Sequence, residues 1–209
     1  MKIAINLVGV SYFTGNDSCL PRDWKLSMDN INQCVISPLK TYHTVDTYVT
    51  TYPHSTIDEL LDFYKPRKYT LLEFENSYMK NTMLISLKEL LNEDIDFIII
   101  SRFDANYHNL ITNLKILGDK FNFPFRETEG DWISHACVGD GFFAFPKCYL
   151  NAFIESIKEE MENPIRPGLR DLHTVYPILL KKLGADNISF IIDGNHSSIH
   201  NPIYNLVRA

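Results

Sequence analysis

The sequence has no apolar run approaching the roughly 20 residues that a membrane span needs. Its first residues, Met1-Lys2-Ile3-Ala4-Ile5-Asn6-Leu7, alternate too quickly for the hydrophobic core of a signal peptide. No dense basic stretch occurs either: Lys and Arg number 20 against 26 Asp and Glu, a formal charge of −6. Proteins that grip a nucleic-acid backbone carry such a basic footprint, so nucleic-acid partners are excluded. A small phosphorylated ligand is not, because it needs only a local pocket of N–H groups, a cation and one or two basic side chains. The four cysteines, Cys19, Cys34, Cys137 and Cys148, form no C-x-x-C pair, and a chain of this size does not need staples. These absences point to a cytoplasmic protein with reduced thiols and no transmembrane segment.

Several catalytic fingerprints are also missing. The sequence contains no G-x-G-x-x-G after its first apolar segment, no P-loop, no G-x-S-x-G elbow and no H-E-x-x-H helix. Dinucleotide oxidoreductases, P-loop enzymes, serine hydrolases of the elbow type and zincins lose their usual support. No internal repeat or low-complexity linker appears.

What remains is an ordinary globular composition over 209 residues, 45% hydrophobic and 22% charged, enough for one domain that buries roughly 70% of its extended-chain surface. Residues 3–10 are β-branched and apolar and read as a buried strand. Helical spacing follows over 24–42, with Pro38 expected to kink or restart the helix. A second strand is expected over 45–51. Thr56-Ile57-Asp58-Glu59 has the form of a capping box opening a helix that stops at Pro66. A strand over 69–74, a helix over 77–92 and the most hydrophobic strand, 95–101, complete a β-α-β-α-β-α-β half. Right-handed crossovers make this an α/β fold with a mostly parallel, helix-covered sheet and binding at the carboxyl ends of its strands. The second half reads as a short helix over 109–117, a strand over 135–145, helices over 150–161 and 171–183, and a strand over 188–192.

Ser101-Arg102-Phe103-Asp104 directly follows the central strand, where an α/β site belongs. Asp104 can bind a divalent cation, and Arg102 can meet a phosphate or orient Asp104; the alternative is an internal ion pair that shapes a turn. Asp94-Ile95-Asp96 lies at the opposite end of that strand and reads as a turn. Asp140, between Gly139 and Gly141, can approach a ligand hydroxyl closely, or cap a tight turn; Asp131 is a second candidate for the same role. His196 and His200 flank a polar loop and belong to a residue type that ligates borderline metals. Tyr12, Tyr48 and Tyr52 are placed near strand ends, where a ring can stack on a nucleobase. His43, His54, His108 and His173 read as ordinary surface or core residues.

The ordered set of Asn6-Leu7-Val8-Gly9-Val10, Val45-Asp46-Thr47-Tyr48-Val49-Thr50, Tyr64-Lys65-Pro66-Arg67-Lys68 and Arg102-Phe103-Asp104 resembles small glycosyltransferases of the GT-A type. These include capsular polysaccharide enzymes and the capsid-glycan transferases of chlorella viruses. The resemblance implies a single Rossmann-like domain with a nucleotide-binding half, 1–104, and an acceptor and metal half, 105–209. It implies transfer of a sugar from a nucleotide sugar, UDP-glucose or another UDP-sugar, to a glycan or glycoprotein acceptor, in the host cytoplasm if the chain is viral. The nucleotide would contact Val8, Gly9, Val10, Tyr48, Thr50 and Thr51. Mn²⁺ or Mg²⁺ would bridge the diphosphate on Asp104, with His196 as second ligand, although Arg102 stands where the first acid of D-x-D belongs. Arg102 or Lys80 would stabilise the leaving oxygen and Asp140 would serve the sugar side. Two other classes stay open: a sugar-phosphate nucleotidyltransferase, and a non-catalytic domain that recognises glycan or protein.

Overall fold

The computed structural model describes residues 1–13, 22–73, 79–167 and 171–207. Its centre is a seven-stranded sheet built from β1 (Lys2–Val8), β4 (Thr44–Thr51), β5 (Lys68–Leu71), β6 (Phe97–Arg102), β8 (Phe121–Phe123), β9 (Phe142–Pro146) and β10 (Ile188–Phe190). Their order is β10-β8-β9-β6-β1-β4-β5. All neighbours are parallel except β9, which runs antiparallel to both β6 and β8. The two halves of the chain therefore share one sheet. Two short pairs lie outside it: β2 (Tyr12–Phe13) with β3 (Arg22–Asp23), and β7 (Ala105–Tyr107) with β11 (Tyr204–Leu206).

Period-two alternation sends the side chains of β1 to two cores. Ile3, Ile5 and Leu7 pack with Trp24, Ile31, Val35, Leu60 and Tyr64 on one face. That face is covered by α1 (Met28–Ile31), α2 (Ser37–Lys40) and α3 (Ile57–Tyr64). Ala4 and Val8 join Met83, Leu87, Phe153, Ile157 and Leu179 on the other. Here α4 (Met79–Glu89), α6 (Leu150–Glu162) and α7 (Tyr176–Leu183) form the cover. In α6 the buried positions Leu150, Phe153, Ile154 and Ile157 recur at i, i+3, i+4 and i+7, the stripe an amphipathic helix needs. β6 is buried on both faces from Phe97 to Ser101, as expected of a strand with helices above and below.

The structure differs from the sequence reading in several places. A π-type turn, Asn32–Ile36, precedes Pro38 and absorbs its missing N–H, so the helix runs on to Lys40. Thr56 makes no side-chain cap; its hydroxyl accepts from Trp24 Nε1 at 3.2 Å and meets His54 Nδ1 at 3.1 Å. Only Ile111–Asn113 is helical within 109–117, as a single 3₁₀ turn. The strand expected from 135 begins at Phe142; Glu129–His135 forms helix α5, and Val138 makes only an isolated bridge to Arg126. The last helix starts at Tyr176, where Pro177 occupies the first turn. Among the described residues no helix is long and apolar enough to cross a membrane.

Candidate functional site

The chain leaves β1 toward β4 on one side and later returns to β6 on the other. The strand order thus reverses between β1 and β6, which opens a crevice outside their carboxyl ends. A cleft of about 230 Å³ lies there. Val8, Gly9 and Val10 supply its wall from β1, Arg102 and Asp104 the wall from β6, and Asp140 and Asp171 the wall from the second half. Arg22, Tyr52, Met79 and Thr82 complete it. Gly9 turns the chain at the edge with φ +107°, a conformation that side chains with a Cβ resist.

Arg102 is the centre of charge. Its Nε and Nη2 donate to the two Asp104 oxygens, each at 2.8 Å, and its Nη1 stands 3.8 Å from Asp140 Oδ1. Burial opposes the guanidinium charge, but Asp104 and then Asp140 outweigh it and hold Arg102 protonated. Arg22 Nε approaches Asp104 Oδ2 from the other side at 3.7 Å. Asp140 is buried at 3% exposure, yet no described residue donates a hydrogen bond to its carboxylate. It is placed by packing. A Cβ on Gly139 would come 2.6 Å from the Phe125 ring, and one on Gly141 would run into the Tyr204 hydroxyl. The glycines on either side let this segment lie directly on two aromatic rings.

Behind Asp140 stands His173. Its Nδ1 bonds the Val138 carbonyl at 2.7 Å and lies 3.4 Å from Glu127, while Nε2 is 3.8 Å from both Asp140 and Asp171. Burial would lower the imidazole pKa, but the Asp140 and Asp171 carboxylates, the Val138 carbonyl and Glu127 together push it up to about 9. Burial raises Asp171 and Glu127, and His173 opposes both shifts.

The structure brings together Val8, Gly9, Val10, Arg102, Asp104 and Asp140 of the expected set. Others lie elsewhere. Tyr48 is mid-strand, opposite Asn6, and donates to Glu93 at 3.1 Å; Thr50 joins it around a small void with Asn6 and Ser86. Thr51 meets the Ser11 hydroxyl at 2.7 Å. β4 simply extends three residues past Tyr48 before reaching the edge. Lys80 is buried, its ammonium 3.3 Å from Glu160, whose same oxygen accepts from Thr174 at 2.6 Å. Asp131 belongs to a separate pocket with Glu127, Cys137, Arg166 and His173, and pairs with Arg166 at 3.2 Å. His196 contacts the Asp193 carbonyl at 3.0 Å and the edge of Phe125, and His200 meets Asn205 at 3.1 Å. Neither histidine lines the cleft.

The residues expected to hold Mn²⁺ or Mg²⁺ do not fit a cation as they stand. Both Asp104 oxygens already accept from a guanidinium, His196 is turned to other partners, and the described residues include no group of three His, Cys, Asp or Glu side chains arranged as metal ligands. Sequence reasoning missed Arg22, Thr82, Asp171 and His173. For the last two the available signal was the D-x-H spacing of Asp171-Leu172-His173, which a helix assignment over 171–183 obscured. No known protein-family model matches the chain, and no curated protein matches it in sequence.

Proposed function

We propose that the chain is a GT-A type glycosyltransferase that moves a sugar from a nucleoside-diphosphate sugar, a UDP-sugar in the first instance, to a glycan or glycoprotein hydroxyl. The observation that carries this reading is Asp140. It is the cleft carboxylate without a hydrogen-bond donor among the described residues, flanked by Arg102 and His173 in a crevice at the strand-order reversal. Its lone pairs are open to a sugar or acceptor hydroxyl. In the reaction the anomeric C–O bond breaks with its electron pair going to the diphosphate, the acceptor oxygen bonds to the anomeric carbon, and the acceptor loses its proton. Arg102 faces the charge that grows on the leaving oxygen. Asp140 faces the positive charge that grows on the sugar, and is the carboxylate placed to receive the acceptor proton.

The test is a thermal-shift panel of UDP-, GDP- and CMP-sugars, followed by detection of released nucleotide and glycosylated product. A ligand at about ten times its Kd stabilises the folded state by roughly 1.4 kcal/mol, or about 3–6 °C for a chain of this size. One nucleotide is expected to give such a shift. Absence of any shift at millimolar concentration refutes the assignment.

A further inference from the structure

We propose that the cleft takes the diphosphate of its ligand on the guanidinium groups of Arg22 and Arg102 in place of a divalent cation, with Asp104 acting as the carboxylate that gathers the two arginines. This rests on the nucleoside-diphosphate reading above.

Three observations support it. Asp104 is 5% exposed, and both of its oxygens accept from Arg102 in the forked geometry characteristic of arginine and carboxylate. Of the five N–H groups of Arg102, two are used in this fork, and the Nη1 edge points toward Asp140 across the cleft. Arg22 reaches the same Asp104 carboxylate from β3, and its side chain, 27% exposed, lines the cleft. Two planar cations thus converge on one buried anion at the mouth of the strand-reversal crevice. Guanidinium groups match phosphate oxygens two at a time.

A divalent ion on Asp104 would face the opposite situation. It would have to displace Arg102 from both oxygens and then sit within a few ångströms of two guanidinium groups. The other cleft carboxylates, Asp140 and Asp171, are turned toward Arg102 and His173. Arg102, which stands in sequence where the first acid of D-x-D belongs, thus supplies the positive charge that a divalent ion would.

Isothermal titration of the full chain with UDP, GDP and inorganic pyrophosphate, in EDTA and again in Mn²⁺, decides the matter. Binding is expected to persist in EDTA with Kd changed by less than about threefold on adding Mn²⁺. Arg22→Met is expected to weaken it by about tenfold, the loss of one charge-assisted contact. Asp104→Asn discriminates by sign. If Asp104 gathers arginines, the variant keeps EDTA-resistant binding within about fivefold, since Asn still accepts from Arg102; if Asp104 is a metal ligand, binding requires Mn²⁺ in the native protein and is lost in the variant, which overturns the proposal. Circular dichroism confirms that each variant is folded, and Arg22→Met, on the more exposed arginine, serves if Asp104→Asn does not fold. Pyrophosphate separates the two readings. Binding of pyrophosphate but of no nucleotide in EDTA supports the arginine site and refutes the glycosyltransferase assignment, whereas failure of all three anions to bind in EDTA overturns the arginine site.

Discussion

Replacing His173 by Gln tests the electrostatics of the site without requiring a known ligand. In the folded protein the imidazole pKa is about 9, against about 6.5 in an unfolded chain. The difference of about 2.5 units corresponds to about 3 kcal/mol. The side chain is 21% exposed, so solvent screening removes only a part of this. Below pH 6.5 both states hold the proton and the stabilisation is complete. Between pH 6.5 and 9 the unfolded chain releases its proton first, and stability falls by up to about 1.4 kcal/mol per pH unit. Above pH 9 the contribution is gone. Arg102, Asp140, Asp171 and Glu127 face the imidazole or its carboxylate partners, and all four are present in both proteins. Cys137, whose burial lifts its thiol to about 11, adds alkaline dependence that is common to both proteins and cancels in the comparison. Urea unfolding at pH 6, 7.5 and 9.5 should show the native protein losing about 3 kcal/mol more than His173→Gln across that range. Parallel pH profiles would refute the placement of a charged imidazole between Asp140 and Asp171.

Asp140→Asn keeps the shape of the side chain while removing its charge; product formation should fall by about 10²–10⁴-fold with nucleotide Kd within a few-fold, measured by single-turnover kinetics and titration. Gly141→Ala drives a methyl group into the Tyr204 hydroxyl and should cost about 1–3 kcal/mol, seen as a lower melting temperature. Lys80→Met removes the ammonium beside the fully buried Glu160 carboxylate, leaving it the Thr174 hydroxyl and the Ile165 N–H, and should cost about 3–5 kcal/mol of stability while leaving the nucleotide affinity of the folded fraction unchanged. A large loss of affinity without a loss of stability would return Lys80 to the ligand site.

Strands β1 and β6 were legible because they are buried on both sides and so appear as nearly continuous apolar runs, 3–8 and 97–101. Arg102 and Asp104 were singled out by the rule that puts α/β sites at strand ends, and Val8, Gly9 and Val10 by the resemblance; all five line the cleft. Helix α5 was not legible, since none of its residues is fully buried and no apolar period exists to be read. The pairing of Lys80 was not legible for a different reason: Glu160 lies 80 residues away, on a helix packed across the same face of the sheet. His173 has Asp171 two residues away, but Glu127 and Asp140 close around it from distant parts of the chain, which the Asp171-Leu172-His173 spacing alone does not announce.

The antiparallel course of β9 has a mechanical consequence. Because Phe142 pairs with Ser101, β9 begins at the very edge where β6 ends, and the Arg102 N–H bonds the Gly141 carbonyl at 3.3 Å. The separation of Arg102 from Asp140 is therefore tied to strand spacing, close to 4.8 Å between neighbours, and is as stiff as the sheet itself. Arg22 comes from the two-residue strand β3, which pairs with β2 outside the central sheet. For the proposed ligand, the Arg102–Asp140 side of the cleft would act as a fixed gauge of length.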